Sequence, residues 1–272
     1  IYNNNENAKF DDTLTTYNLK GYAIGNGCTN YTVDAWPSFI ETVYKFHLIP
    51  KSLYDEWHAN DCFVSFREII EGRMTVKCDA LYLQIRELTA DLNFYDLYRH
   101  VYTDDDAVSE QSRMKETIVH GKTLTYKSGF TQAEYTPWLK EFPKAHKILL
   151  GEYLTDYCNR EDVREALNIP DRIPAWTPAS LLLDYHPQVE GSAWIYKVLR
   201  NKYRILHYSG DTDGAIPTYG TRSWIGALGW EIEEPWRYWR TDGQVSGFIE
   251  KYDGLDFITV HGVGHMCPQW KR

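Results

Sequence analysis

Three strand-like runs, each ending in a polar turn that contains glycine, limit this 272-residue chain to a mixed arrangement of strands and helices. The runs cover 18–26, Tyr203–Tyr208 and Asp256–His261. Helix-like amphipathic stretches occur elsewhere, around 38–45, 53–63, 79–95 and 219–228. This alternation favours an α/β core with parallel strands, and in such cores the loops that follow the strands carry the chemistry.

The bulk properties exclude several classes of partner. With 43% hydrophobic and 25% charged residues, the chain has the composition of a soluble globular protein that forms one large domain or a core with an insertion. No apolar run is long enough to span a bilayer. The formal charge of -9 disfavours non-specific attraction to nucleic acid or anionic lipid. We therefore expect neither a membrane span nor a nucleic-acid partner.

Two of the turns carry ionisable side chains. The turn SGDTDGAIP offers Asp211 and Asp213, and the turn HGVGHMCP offers His261, His265 and Cys267. An Asp that precedes a His follows the chain order of a Ser, Asp and His triad in α/β-hydrolases. In such a triad the carboxylate holds the Nδ1–H of the imidazole, while Nε2 accepts the serine proton. Unusual backbone angles at the two glycines just before His265 are expected to aim its side chain at the end of the sheet.

Other chemistry at these turns is disfavoured. Cys267 lies too close in sequence to His265 for a thiol–imidazole pair in an extended loop. A zinc site of His261, His265 and Cys267 is disfavoured because two glycines break the helical spacing that would aim both imidazoles together. Asp211 is expected to brace its loop by accepting hydrogen bonds from nearby backbone amides. No metal or cofactor is expected.

Several separated blocks together resemble the serine carboxypeptidase family. They are, in order, NLKGYAIGNGCTN, NREDVREALNIP, YSGDTDGAIPTYGT, GQVSGF and TVHGVGHMCPQWKR. The resemblance implies an α/β-hydrolase core that lacks its N-terminal part and consists of residues 1–30 and 154–272, with a largely helical cap insertion over 31–153. It also implies that Asp213 orients His265 as the catalytic base, and that Met266 lines the leaving-group side of the pocket. A local disulfide in the cap is implied for Cys62 and Cys78.

One block of the family is absent. The nucleophile block G-E-S-Y-A-G occurs nowhere in the chain, and Ser209 lacks a nucleophile elbow such as G-x-S-x-G. The resemblance places the serine in a segment upstream of Ile1, together with the oxyanion hole and the residues that grip the substrate's terminal carboxylate. We therefore expect the chain alone to be inactive, and the intact parent to be a serine-type carboxypeptidase acting on peptides. A same-fold acyltransferase and a catalytically inactive binding or structural protein remain as alternatives.

Further features bear on compartment and flexibility. The five cysteines leave at least one thiol without an internal partner, and Asn30-Tyr31-Thr32 is an acceptor triplet for N-glycosylation. Together with the resemblance, they indicate the secretory pathway and a vacuolar, lysosomal or extracellular destination. The charged segment from Asp104 to Ser128 predicts an exposed loop.

Overall fold

A five-stranded mixed sheet carries the residues singled out above. The computed structural model describes residues 1–62, 74–101, 111, 113–131, 149–150, 152–177 and 191–271. Strands β1, β6, β7, β8 and β9 form this sheet, and β2 to β5 form two small antiparallel pairs. The strands are β1 Gly21–Gly25, β2 Met114–Val119, β3 Lys122–Lys127, β4 Phe130–Thr131, β5 Leu149–Leu150, β6 Arg204–Gly210, β7 Ile232–Thr241, β8 Gln244–Tyr252 and β9 Leu255–Val260.

Helices precede and follow these strands in the described part of the chain. They are α1 Tyr2–Asn7, α2 Trp36–Lys45, α3 Lys51–Ala59, α4 Val76–Thr89, α5 Glu152–Asn159, α6 Glu161–Ala166, α7 Ala193–Leu199, α8 Thr218–Gly226 and α9 Cys267–Trp270. No helix among the described residues is long and apolar enough to cross a bilayer.

The order of the sheet is β1-β6-β9-β8-β7. Strand β6 runs parallel to both β1 and β9, with Ala23 opposite Leu206 and Tyr208 opposite Ile258. Strands β9, β8 and β7 are joined in antiparallel fashion. The carboxyl ends of β1, β6 and β9 therefore lie at the same edge of the sheet. This topology confirms the predicted mixed α/β class with parallel central strands.

The face of the sheet built by alternate residues of β6 and β9 is covered by aromatic side chains. Its core contains the buried residues Tyr196, Ile205, Trp224, Ile225, Tyr252, Leu255 and Phe257. Burial of such side chains stabilises the fold by roughly 1.5–3 kcal/mol each. Helices α7 and α8 contribute Tyr196, Trp224 and Ile225, which fixes them against the sheet.

Contacts between Cα atoms divide the chain into two compact units. The first contains Ile1–Leu81, Phe94–Leu97 and Pro187–Arg272, and the second contains Tyr82–Asn93 and Tyr98–His186. The five-stranded sheet belongs to the first unit and the β2–β3 hairpin to the second. The core of 1–30 and 154–272 and the cap of 31–153 stay a prediction, since compactness alone does not define an insertion.

Two local features of the predicted cap region are resolved. Cys62 and Cys78, the pair that the family resemblance implied, are joined by a disulfide with an S–S distance of 2.02 Å. The expectation of a loop over Asp104–Ser128 is wrong for its second part, where β2 and β3 pair around a turn at His120 and Gly121. Alternating Thr, Ile, Leu and Tyr residues supply the strand propensity that the flanking charges concealed. Residues 102–110 and 112 lie outside the described part of the chain.

One buried histidine makes the stability of this core depend on pH. His207 in β6 is fully buried among Tyr196, Trp224 and Phe257, and its Nδ1 lies 2.8 Å from the Tyr196 hydroxyl. Its Nε2 has no hydrogen-bond partner in the part of the chain that the structure describes. Burial lowers the pKa of His207 to about 4 because the charged ring would lose its hydration.

We predict that this histidine destabilises the fold in acid. Between pH 6.5 and about 4 the unfolded chain binds a proton that the folded chain excludes, so the free energy of unfolding falls by roughly 2–3 kcal/mol. Urea unfolding of the wild-type chain and His207→Gln across this range should show the loss in the wild type only. Parallel curves for the two proteins would contradict the assignment. Burial raises the pKa of Asp34 to about 7, so its contribution to the free energy of unfolding increases as the pH falls. This contribution is the same in the wild type and in His207→Gln.

Candidate active site

The carboxyl ends of the three parallel strands bring three polar side chains together. Asn26 directly follows β1, Asp213 lies three residues after β6, and His265 lies five residues after β9. The Asp213 and His265 side chains are joined by an Oδ2 to Nδ1 distance of 2.9 Å. The Asn26 amide donates to the same Asp213 oxygen at 2.7 Å. Residues far apart in sequence thus form one hydrogen-bonded group at the edge of the sheet.

The environment of Asp213 suits an ionised carboxylate. Asp213 is only 1% exposed, but its Oδ1 accepts hydrogen bonds from the backbone N–H groups of Ala215 and Ile216, at 2.7 and 3.2 Å. With the Asn26 amide and the His265 ring, four donors surround the carboxylate. Such complete hydrogen bonding offsets the cost of burying a charge.

This carboxylate determines which nitrogen of His265 is free. An ionised carboxylate only accepts hydrogen bonds, so Nδ1 must carry the proton and Nε2 must carry the lone pair. The His265 side chain is 29% exposed, and its Nε2 has no hydrogen-bond partner within the described residues. The arrangement therefore leaves the unprotonated Nε2 of an oriented imidazole open to solvent.

Close backbone packing fixes the loop that carries His265. The His265 N–H donates to the Tyr95 carbonyl oxygen at 2.6 Å. A Cβ atom at Gly264 would lie 1.9 Å from that oxygen, so only glycine fits there. The expected unusual backbone angle occurs at Gly262, where φ is +68°, but the expectation is wrong for Gly264, where the requirement is close approach.

The segment 94–97, which the sequence analysis did not single out, supports the loops that carry Asp213 and His265. Besides the Tyr95 contact, the Leu97 N–H donates to the Thr212 carbonyl at 2.9 Å. The Thr212 hydroxyl donates to Asp96 Oδ1 at 2.7 Å. Nothing in the sequence around 94–97 marks it as part of the site. Asn26 was also missed, although its place between two glycines directly after a strand is a usable signal.

A second pair of Asp and His side chains joins the same two loops. Asp211 Oδ2 lies 2.6 Å from His261 Nδ1, and Asp211 Oδ1 accepts the Gly262 N–H at 2.7 Å. Unlike the first pair it is open to solvent, with His261 61% exposed. Asp211 thus has the expected bracing role, but the amide that it accepts from belongs to the loop after β9 and not to its own loop.

The structure also shows where the other candidate groups lie. Burial and the nearby Asp213 carboxylate raise the pKa of Cys267 to about 12, which keeps it a thiol. Its Sγ lies 3.3 Å from both Asn26 Oδ1 and Gly264 O. The buried Ser209 hydroxyl pairs with Thr218 Oγ1 at 2.7 Å, on the face of β6 that packs into the core. Neither side chain has the position of a nucleophile beside His265.

Met266 and Asn30 lie close in sequence to this group. Met266 is half-buried and directly precedes α9. Asn30 is half-buried, and its Oδ1 accepts hydrogen bonds from the Thr32 N–H and hydroxyl at 3.0 and 2.6 Å. The pocket role of Met266 and the glycosylation of Asn30 stay predictions.

A cluster of potential metal ligands occurs in the second unit. His120, Glu161 and Glu165 have ligand atoms within 4.8 Å of one another. His120 and Glu165 are exposed and Glu161 is half-buried; Glu165 lies 3.1 Å from His120 Nε2, Glu161 accepts the His120 backbone N–H at 2.7 Å, and His120 Nδ1 is 2.6 Å from Asp171. None of these three residues is among the candidate site residues of the sequence analysis.

Comparison with known proteins agrees with the geometry. The family profile described as serine carboxypeptidase matches residues 1–272. The chain is 30% identical over 283 residues to the putative serine carboxypeptidase-like 30 of Arabidopsis thaliana, covering 100% of this chain and 53% of that protein. It is 26% identical over 279 residues to serine carboxypeptidase 1 of Hordeum vulgare, covering 94% of this chain and 54% of that protein.

A solved structure shows the same fold. Kex1Δp, a prohormone-processing carboxypeptidase from Saccharomyces cerevisiae, superposes with a TM-score of 0.59 at 17% identity, covering 99% of this chain and 56% of that one. The chain spans about half the length of the relatives that it matches. With an Asp and a His held together at the carboxyl edge of a mixed sheet, and with a family match over its whole length, this chain belongs to the serine carboxypeptidase family.

Proposed function

We propose that this chain supplies the Asp and His of a serine-type carboxypeptidase, with Asp213 as the orienting carboxylate and His265 as the general base. The 2.9 Å contact between a buried, fully hydrogen-bonded carboxylate and a partly exposed imidazole carries the proposal. The nucleophilic serine comes from a segment outside residues 1–272, because the sequence contains no nucleophile block.

The reaction follows from the free Nε2. As the serine oxygen attacks the scissile carbonyl carbon, His265 Nε2 takes the hydroxyl proton, and Asp213 stabilises the resulting imidazolium. The tetrahedral intermediate collapses when the same proton passes to the leaving amine, which releases the C-terminal residue and leaves an ester on the serine. Water, activated by His265, then cleaves the ester and regenerates the hydroxyl.

The open edge of the sheet supports the proposal of an additional segment. Strand β1 is an edge strand, and no strand within the described residues pairs with its outer side. A parallel strand added there would end beside Asn26, at the edge where the Asp213 and His265 pair lies. A serine in the turn after that strand would reach Nε2 of His265. This supports a partner segment of the same protein, not Ser209, as the source of the nucleophile.

The substrate proposal rests on the family. Its described activity is that of a carboxypeptidase, which indicates peptides cleaved at their C-terminal residue. Met266, directly after the base, lines the leaving-group side of the pocket. The groups that grip the terminal carboxylate and the oxyanion hole belong to the outside segment, so the chain alone is inactive.

The compartment proposal rests on a disulfide and on an acceptor triplet for N-glycosylation. The Cys62–Cys78 disulfide fits an oxidising environment, and Asn30 lies in an N-glycosylation triplet. We place the protein in the secretory pathway, with a vacuolar, lysosomal or extracellular destination.

The first test compares the two Asp–His pairs in the protein that includes its upstream segment. Asp213→Asn should lower kcat by about 10⁴-fold, because an amide at that position disfavours the Nδ1–H tautomer that leaves Nε2 basic. Asp211→Asn, in the exposed pair on the same loops, should leave kcat within a few-fold. Release of the C-terminal residue from a blocked dipeptide gives kcat, and thermal melting checks folding. Equal effects of the two substitutions would rule out the assignment.

A second test separates hydrolysis from acyl transfer. A carboxypeptidase passes the acyl group from serine to water, whereas an acyltransferase passes it to an alcohol on the same scaffold. Incubation with a blocked peptide, or with an acyl ester, in the presence of an alcohol acceptor should give the free acid as the main product. An ester of the added alcohol as the main product would favour the acyltransferase. Absence of both products in the intact protein would favour a binding or structural role.

A further inference from the structure

We infer that Asn26 is a positioning residue that holds the Asp213 carboxylate, and through it His265, in the geometry a general base requires. The inference rests on the proposed function for its catalytic consequence, but its geometric part concerns this chain alone. Asn26 directly follows β1 and is 3% exposed, and its side chain contacts groups at or after the ends of the other two parallel strands, β6 and β9.

The hydrogen bonds determine the orientation of the Asn26 amide. Its oxygen lies 3.3 Å from the Gly210 N–H, which can only donate, and 3.3 Å from the Cys267 thiol, whose single proton is shared between this oxygen and the Gly264 carbonyl. Turning the amide over would place its own donating nitrogen against them. The nitrogen must therefore point to Asp213 Oδ2, at 2.7 Å. The raised pKa of Cys267 keeps the thiol protonated as a donor.

The backbone of Asn26 favours the same residue type. Its φ is +46°, in the left-handed region that asparagine tolerates better than most side chains other than glycine. Its N–H donates to the Tyr208 carbonyl at 2.9 Å, which extends the β1–β6 pairing by one residue. Asn26 therefore has two properties that the position requires: a backbone that can turn at the end of β1, and a side-chain amide that donates to Asp213.

The Asp213 oxygen that Asn26 contacts is the one that orients the base. Oδ2 receives both the Asn26 amide and His265 Nδ1, whereas Oδ1 receives two backbone N–H groups of its own loop. Without Asn26, Oδ2 keeps the histidine as its only donor among the described residues, and the carboxylate is anchored only at Oδ1, by the two backbone N–H groups. Loss of Asn26 should therefore disturb the tautomer and orientation of His265 without removing either catalytic side chain.

The test is a spectroscopic measurement on the 272-residue chain. In ¹⁵N-histidine NMR at a pH where His265 is neutral, the wild type should show a protonated Nδ1 and a bare Nε2. A His265→Gln spectrum identifies the signals among the nine histidines. Asn26→Gly removes the amide but tolerates the positive φ, and it should shift both ring nitrogens toward averaged values. Cys267→Ala should do so more weakly, and Cys267→Ser, which restores a donor, should reverse that change.

Asn159→Ala is the matched control. Asn159 is also buried, and its side chain makes three hydrogen bonds, to Thr155 and Trp176 within the second unit. Its truncation should lower the melting temperature and leave the His265 signals unchanged. An Asn26→Gly spectrum identical to that of the wild type would overturn the positioning role.

Kinetics of the protein with its upstream segment complete the test. Asn26→Gly should lower kcat about 10- to 100-fold with KM little changed, the size of loss seen when a partner that orients a histidine ligand is removed. An unchanged kcat would overturn the catalytic consequence. If the wild type cleaves no peptide, the proposed function fails while the NMR result still decides the geometric role of Asn26.

Discussion

A buried carboxylate with four hydrogen-bond donors is the interaction on which this edge of the molecule depends. An ionised Asp213 that is 1% exposed is tolerable only if its oxygens are satisfied, and they are satisfied by the loops that follow β1, β6 and β9. The parallel pairing of these strands brings the three loops to the same edge. Sheet topology and the chemistry of the site are therefore linked through one side chain.

The sequence predicted the parts of this arrangement that follow from local pattern. The runs that became β1, β6 and β9 end in polar turns, and the order of Asp213 and His265 indicated their roles. The disulfide partners Cys62 and Cys78 came from the family resemblance and not from the spacing. A local motif is enough to specify a turn at the end of a strand. It does not specify which distant groups the turn contacts.

Contacts that neither the motifs nor the family resemblance implied could not be predicted. Asn26 and Asp213 are 187 residues apart, and an asparagine in a turn is common without any role in catalysis. Two of the three hydrogen bonds by which 94–97 supports the loops use backbone groups, which every residue carries. In both cases the tertiary pairing, and not the local composition, decided the structure. The hairpin of β2 and β3 was missed for another reason, because the charged residues around it concealed the strand propensity of its Thr, Ile, Leu and Tyr residues.

The most direct measurement of the central claim is labelling of the intact protein, upstream segment included, with a fluorophosphonate that reacts with activated serines. The predicted result is a single modified serine outside residues 1–272, with labelling at least about tenfold slower in His265→Gln because the base is lost. Modification of a serine within 1–272, or an equal rate of labelling in His265→Gln, would contradict the assignment of Asp213 and His265 to a serine triad.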